Sequence, residues 1–214
     1  MTQVENTSTG VPARCALALK EWAVAIEALG TGRTALIIRK GGIREESKRF
    51  ELRYDECLLF PSFEHQQADL LRQEHAGALG HVLAETPSPD ALRFTHYARV
   101  HDAFAVREQA ELDALAPHHI WSDAYASARL RWRPSQALTG IVLRVWRLAE
   151  PVSVPWRPEY AGCKSWLTLL DEAPLPAATP AMTLDAFAAE AAAIRAALAG
   201  AQATPQLTND RRFA

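Results

Sequence analysis

Cysteine is scarce in this chain. Cys15, Cys57 and Cys163 are the three in 214 residues, odd in number, far apart and without a CxxC pair. That excludes a disulfide scaffold and argues against a structural zinc site. Long apolar runs are missing as well. The nearest approach to 18 uncharged apolar residues is an alanine-rich tail carrying Asp185, Glu190 and Arg195, and alanine is only weakly hydrophobic, so no membrane span is expected. Residues 1–13 lack a charged region followed by an apolar one, so no signal peptide is read there, and a reduced, cytoplasmic setting is expected. Neither sign of charge dominates: 23 Lys and Arg against 25 Asp and Glu leave a formal net charge of -2. No overall field draws the molecule to polyanions. Internal repeats, GxxxxGK[ST] and GxGxxG are all absent.

What remains is an ordinary globular composition, 49% hydrophobic and 22% charged. At this length about 70% of the unfolded surface can be buried. Residues 1–15 read as a disordered leader. Leu19, Trp22, Ala23, Ile26 and Leu29 recur at helical spacing, which predicts a helix over Ala16–Leu29 stopped by Gly30. Thr34–Arg39 is a β-branched apolar strand before a Gly41-Gly42 turn, and Phe50–Phe60 a second strand, or two, ended by Pro61. A helix over Glu64–Leu83 leads into the linker Thr86–Asp90, which joins two halves of one domain or separates two small subdomains near 84–90. Leu92–Val106 alternates as a strand. Arg107–Leu115 and Ser122–Trp132 read as helices, the latter capped by Ser122. Thr139–Leu148 is a strong strand, after which Pro151, Pro155 and Pro158 mark a looping connection. Cys163–Leu170 reads as a last strand. Residues 173–214 form a Pro/Ala-rich lead and a helix over Leu184–Leu198, with Thr183 as cap and Gly200 as stop, an appendage to a domain over 16–172. Helices beside adjacent strands, without regular βαβ alternation, indicate an α+β fold of mixed sheet elements with flanking helices and an Ala-rich C-terminal helix.

The run KEWAVAIEALGTGRTALIIRKGGIREE (Lys20–Glu46), followed by FELRYDECLLFPSFEHQ (Phe50–Gln66), resembles the N-terminal half of a prokaryotic family catalogued as domain of unknown function 1802. IWSDAYASARLRW (Ile120–Trp132), LRVWRL (Leu143–Leu148) and YAGCKSWLTL (Tyr160–Leu169) resemble its C-terminal half, so the likeness covers about residues 16–170. It implies membership and assigns no activity and no catalytic residue.

Four constellations carry chemistry. In Arg39–Glu46 (RKGGIREE), Arg39, Lys40 and Arg44 flank Gly41-Gly42, where backbone N–H groups can approach an anion; the alternative is a charged hairpin tip. In Leu58–Gln66 a strand ends at Pro61 and Glu64, His65 and Gln66 begin a helix, a setting for polar chemistry or for plain capping. Between Trp121 and Arg147, Arg129, Arg131, Arg133, Arg144 and Arg147 meet Asp123 alone, interleaved with Trp121, Trp132 and Trp146 and followed by Trp156. Guanidinium forks fit phosphates and indoles stack bases. The order is loosely similar to small β-barrel nucleic-acid modules of the PUA and EVE kind. The other reading is that these side chains cover the core with stems and rings. Tyr160–Trp166 packs Tyr160, Cys163, Lys164, Ser165 and Trp166 beside Gly162, either a reactive thiolate site or a tight turn over core residues.

The leading expectation is a nucleic-acid-associated binding protein that uses a local Arg/Trp surface. A metal-dependent phosphodiesterase near residues 39–65 is the first alternative; Asp55, Glu56 and Glu45–Lys48 supply acids and a lysine, but EESK is one residue too long for the ExK signature. A protein-interaction module docking through the alanine-rich helix is the second. The sequence specifies no cofactor, metal ligand set or oligomeric state.

Overall fold

The computed structural model describes residues 10–40, 52–64, 66–84, 88, 90–162 and 164–203. Among the described residues seven strands form one sheet, six of them on a continuous path: β1 Arg14–Trp22, β2 Leu36–Arg39, β3 Glu56–Ser62, β4 Ala91–Val106, β5 Leu138–Pro155 and β6 Trp166–Pro174. Their order is β2-β5-β4-β3-β1-β6, and short β7 (Ala178–Pro180) pairs with β5 off that path. Every pairing is antiparallel except β1 with β3. Among the described residues five helices complete an α+β architecture: α1 Ala23–Gly30, α2 Gln73–Ala84, α3 Gln109–Ala114, α4 Asp123–Arg131 and α5 Leu184–Ala203. No helix among the described residues is long and apolar enough to cross a membrane.

The helix expected over Ala16–Leu29 is half strand. Residues 14–22 lie between β3 and β6, with ladder partners on both sides and Ala18 and Leu19 fully buried. A strand covered on both faces reads as a continuous apolar run, which can mimic a helical period. The helix begins only at Ala23. Its N-cap residue, Trp22, supplies no side-chain cap, and the Gln66 Oε1 accepts from the Val24 N–H instead at 3.0 Å. The leader is shorter than expected too: Val11 is buried and β1 starts at Arg14.

Pro61 does not end β3, which runs to Ser62. Nor does a helix begin at Glu64. A 3-10 turn spans Ala68–Leu70 and α2 starts at Gln73. The 84–90 linker leads from α2 into β4, which pairs with β3 before it and β5 after it, so both halves share one sheet. β5 passes through Pro151 and Pro155. The register slips between Phe94↔Val152 and His96↔Arg147, and Pro151 sits in that irregularity, where the missing N–H costs no ladder bond. β6 starts at Trp166 rather than Cys163 and extends to Pro174.

α5 is not an appendage. Phe187, Ala191, Ile194 and Leu198 are buried in one cluster with Val24 and Ala28 of α1, Leu112 of α3 and Val142 of β5. His118 to Glu190 (2.9 Å), Gln202 to Glu111 (2.9 Å) and an Arg195–Asp102 ion pair fix its polar edges. Gly200 lies inside the helix, which runs on to Ala203.

Candidate functional site

β2 and β6 are opposite edges of the strand order, yet the two edges touch. At the end of β2, Arg39 donates from Nη1 to the Lys20 carbonyl on β1 (3.0 Å) and from Nη2 to Ser165 Oγ, just before β6 (2.7 Å). Its Nη1 also pairs with Glu21 Oε2 at 2.9 Å, and Glu21 Oε1 accepts from the Trp22 N–H at 2.8 Å. Glu21 is 4% exposed and Arg39 17%. The sheet is therefore curled, and a side chain rather than a ladder closes it.

That curl leaves a cleft of about 1500 Å³ whose lining runs from the ends of β1 and β2, past α4, across β3 and β4, to the far end of β5. Among the described residues its walls carry seven cations, Lys20, Arg39, Lys40, Arg93, Arg129, Arg147 and Lys164, against three carboxylates, Glu21, Glu27 and Glu64. One of the three, Glu21, is already neutralised by Arg39. The charge balance of the cleft is thus opposite to that of the whole chain.

Aromatic rings stand between the cations. Trp22 and Trp121 meet edge to face with centroids 4.9 Å apart, and Tyr125 leans on both, 6.0 Å and 5.1 Å away. α4 presents Tyr125 and Arg129 here because Ser122 caps it, its Oγ accepting from the Tyr125 N–H. The Arg129 guanidinium lies 5.0 Å from the Trp132 ring. Lys40 is buried, donates to the Leu130 carbonyl at 2.7 Å, and titrates below the usual lysine range because burial and then Arg129 disfavour its charge. At the far end Trp156 is 37% exposed and meets Tyr160 edge to face at 6.2 Å. His96 lines the same cleft and is held down to about 4, first by burial and then by Arg147. Lys20 reaches the carbonyls of Gly162 (2.8 Å) and Tyr160 (3.3 Å), and Gly162 adopts φ 90°, which favours glycine.

Of the residues singled out from sequence, Arg39, Lys40, Trp121, Arg129, Lys164 and Ser165 line this cleft. Gln66 is buried behind it, donating to the Ser62 carbonyl while capping α1. Tyr160 is buried, its hydroxyl accepting from the Leu170 N–H, and Trp166 packs on Tyr54 at 5.3 Å. Gly41, Gly42, Arg44, His65 and Cys163 lie outside the described residues. The expected arginine surface divides. Arg131 is exposed on the last turn of α4. Arg144 borders a separate small cavity with Leu29, Thr34 and Phe187, its guanidinium 5.1 Å from the Trp146 ring and 5.8 Å from that of Phe187. Arg144 thus covers apolar rings, and the trio Arg129, Arg131 and Arg144 forms no shared face.

Glu21, Trp22, Tyr125 and Arg93 were missed. The helix expected over Ala16–Leu29 gives Glu21 no role, whereas β1 buries it beside Arg39. Arg93 looked like one polar position of an alternating strand; its place opposite Ser153 is set by long-range register.

Among the described residues no group of three or more His, Cys, Asp or Glu side chains is placed to hold a metal ion. Glu56 instead accepts from the Tyr97 hydroxyl and pairs with Arg99 at 3.4 Å.

A family model described as Domain of unknown function (DUF1802) matches residues 18–193. No curated protein matches the chain. Among solved structures, ASCH from Zymomonas mobilis is similar at 10% identity and a TM-score of 0.43, over 72% of this chain and 86% of that one. Two of its point mutants align with TM-scores of 0.42 and 0.43, at 10% identity, over 72% and 74% of this chain and 88% and 91% of theirs.

Proposed function

We propose that this chain, which belongs to the family of Domain of unknown function (DUF1802), binds single-stranded nucleic acid in the cleft between α4 and the far end of β5. The observation that carries the reading is the local reversal of charge: a chain of net charge -2 gathers seven cations and rings of several sizes along one groove. Arginine and lysine neutralise phosphates, and indole or phenol faces stack bases of any sequence. Arg129 and Arg147 support it further, since no ion pair ties either to a carboxylate among the described residues. An arginine with no carboxylate partner among the described residues suits an anionic ligand.

The two alternatives are less well supported. A metal-dependent phosphodiesterase needs converging carboxylates, and Glu56 is committed to Tyr97 and Arg99. The interaction module needs a free apolar face on α5, and that face is already covered.

The test is anisotropy of a labelled single-stranded octanucleotide, RNA and DNA in turn, titrated at several salt concentrations. Binding should weaken with salt at a slope near 0.7 per phosphate contacted. Arg129→Ala and Arg147→Ala should each lower affinity several-fold and flatten that slope, while Arg144→Ala leaves both unchanged. No binding to either nucleic acid at low salt overturns the proposal.

A further inference from the structure

We infer that the cleft is built for a strand of about four to five nucleotides rather than for a single nucleotide, with one base seated at each end. This rests on the reading just given and adds the length of the ligand. The two aromatic stations, half-buried Trp22 with Tyr125 and exposed Trp156, stand at different strands of the sheet. Trp22 is the last residue of β1 and faces Ser62 on β3; Arg93 on β4 faces Ser153 on β5, three residues before Trp156. From β1 to β5 the path crosses β3 and β4, which is three inter-strand gaps, or about 14 Å along the sheet. Stacked nucleic acid carries one phosphate per roughly 3.4 Å of strand, so that span corresponds to about four steps, or about four to five nucleotides with a base at each end. A mononucleotide reaching one station leaves the other empty.

The cations fall on that path. Arg129 stands beside the Trp22–Trp121–Tyr125 group, and Arg147 lines the groove from β5, opposite His96. Lys20 lies between, its ammonium 4.8 Å from the Phe60 ring. Phosphates can follow Arg129, Lys20 and Arg147 while the terminal bases stack on Tyr125 and Trp156. Trp121, only 7% exposed, backs the first station, and Tyr160 backs the second at 6.2 Å.

The experiment is a length series of riboadenylates, mono-, di-, tetra- and octanucleotide, titrated into the full chain at one low salt concentration and followed by tryptophan fluorescence. Affinity should rise at least tenfold from mono- to tetranucleotide and then flatten. Trp156→Ala, an exposed change checked for folding by circular dichroism, should weaken the tetranucleotide several-fold. If the mononucleotide binds within twofold of the tetranucleotide, or if Trp156→Ala leaves tetranucleotide binding intact, the two-station inference is wrong while the cleft reading stands. Absence of binding at every length removes both.

Discussion

At Gly30, the last residue of α1, a single added methyl group would stand 2.1 Å from His96 Nε2. The imidazole is buried, and Thr95 Oγ1 engages its Nδ1 at 2.9 Å. Gly30→Ala should therefore force the ring or α1 to shift and cost roughly 1–3 kcal/mol, read from urea denaturation. His96 and His119 are both held down to about 4, in each case chiefly by burial. Unfolded, both titrate near 6.5. Between those values the unfolded chain binds the protons that the folded one refuses, so stability falls as pH drops from about 6.5 towards about 4. The loss is roughly 3 kcal/mol per histidine once pH 4 is reached. Denaturation midpoints at pH 7, 6, 5 and 4.5 should fall along that course, and His96→Gln should lessen the slope. A flat profile over this range would contradict the burial argument.

Single elements divide by where their causes lie. α4 was legible from its own residues: Ser122 before an Asp-led turn reads as a cap, and its Oγ does accept from the Tyr125 N–H. Ser122→Ala should cost about 1 kcal/mol. Leu92–Val106 was likewise legible, because alternation over a long half-buried strand is a local signal. β1 was not. Whether Ala16–Trp22 coils or extends is settled by ladder partners forty and a hundred and fifty residues away, β3 and β6, and alanine and leucine favour the wrong answer in isolation. α5 was found as a helix and misjudged in role, since an alanine-rich period does not tell what it packs against. Ile194, with no exposed surface, is the sharpest check: Ile194→Ala should lower stability by about 2–5 kcal/mol, against near zero for the exposed Leu184→Ala. Equal effects would mean that α5 is not part of the core.

For the whole molecule, Arg39 was legible as a cation after a strand but not as the residue joining two sheet edges. It serves Lys20, Glu21 and Ser165 at once. Arg39→Ala leaves the Glu21 carboxylate buried without its counter-charge and should cost roughly 3–5 kcal/mol, whereas an Arg39→Met, Glu21→Gln double variant should recover much of it. Thermal unfolding of the three proteins decides between an electrostatic closure and a merely steric one.

The placement of β1 also sets a timetable. Its neighbour β6 comes late in the chain: Trp166, which pairs with Leu19, follows it by about 147 residues. At the usual pace of synthesis, about 5–20 residues per second, the nascent N-terminal strand waits roughly 7–30 s on the ribosome before its last partner strand exists. Over that interval a nearly uncharged stretch, Cys15 to Leu19, has one edge without a strand beside it. The fold that conceals this segment so completely is also one that exposes it longest while being made.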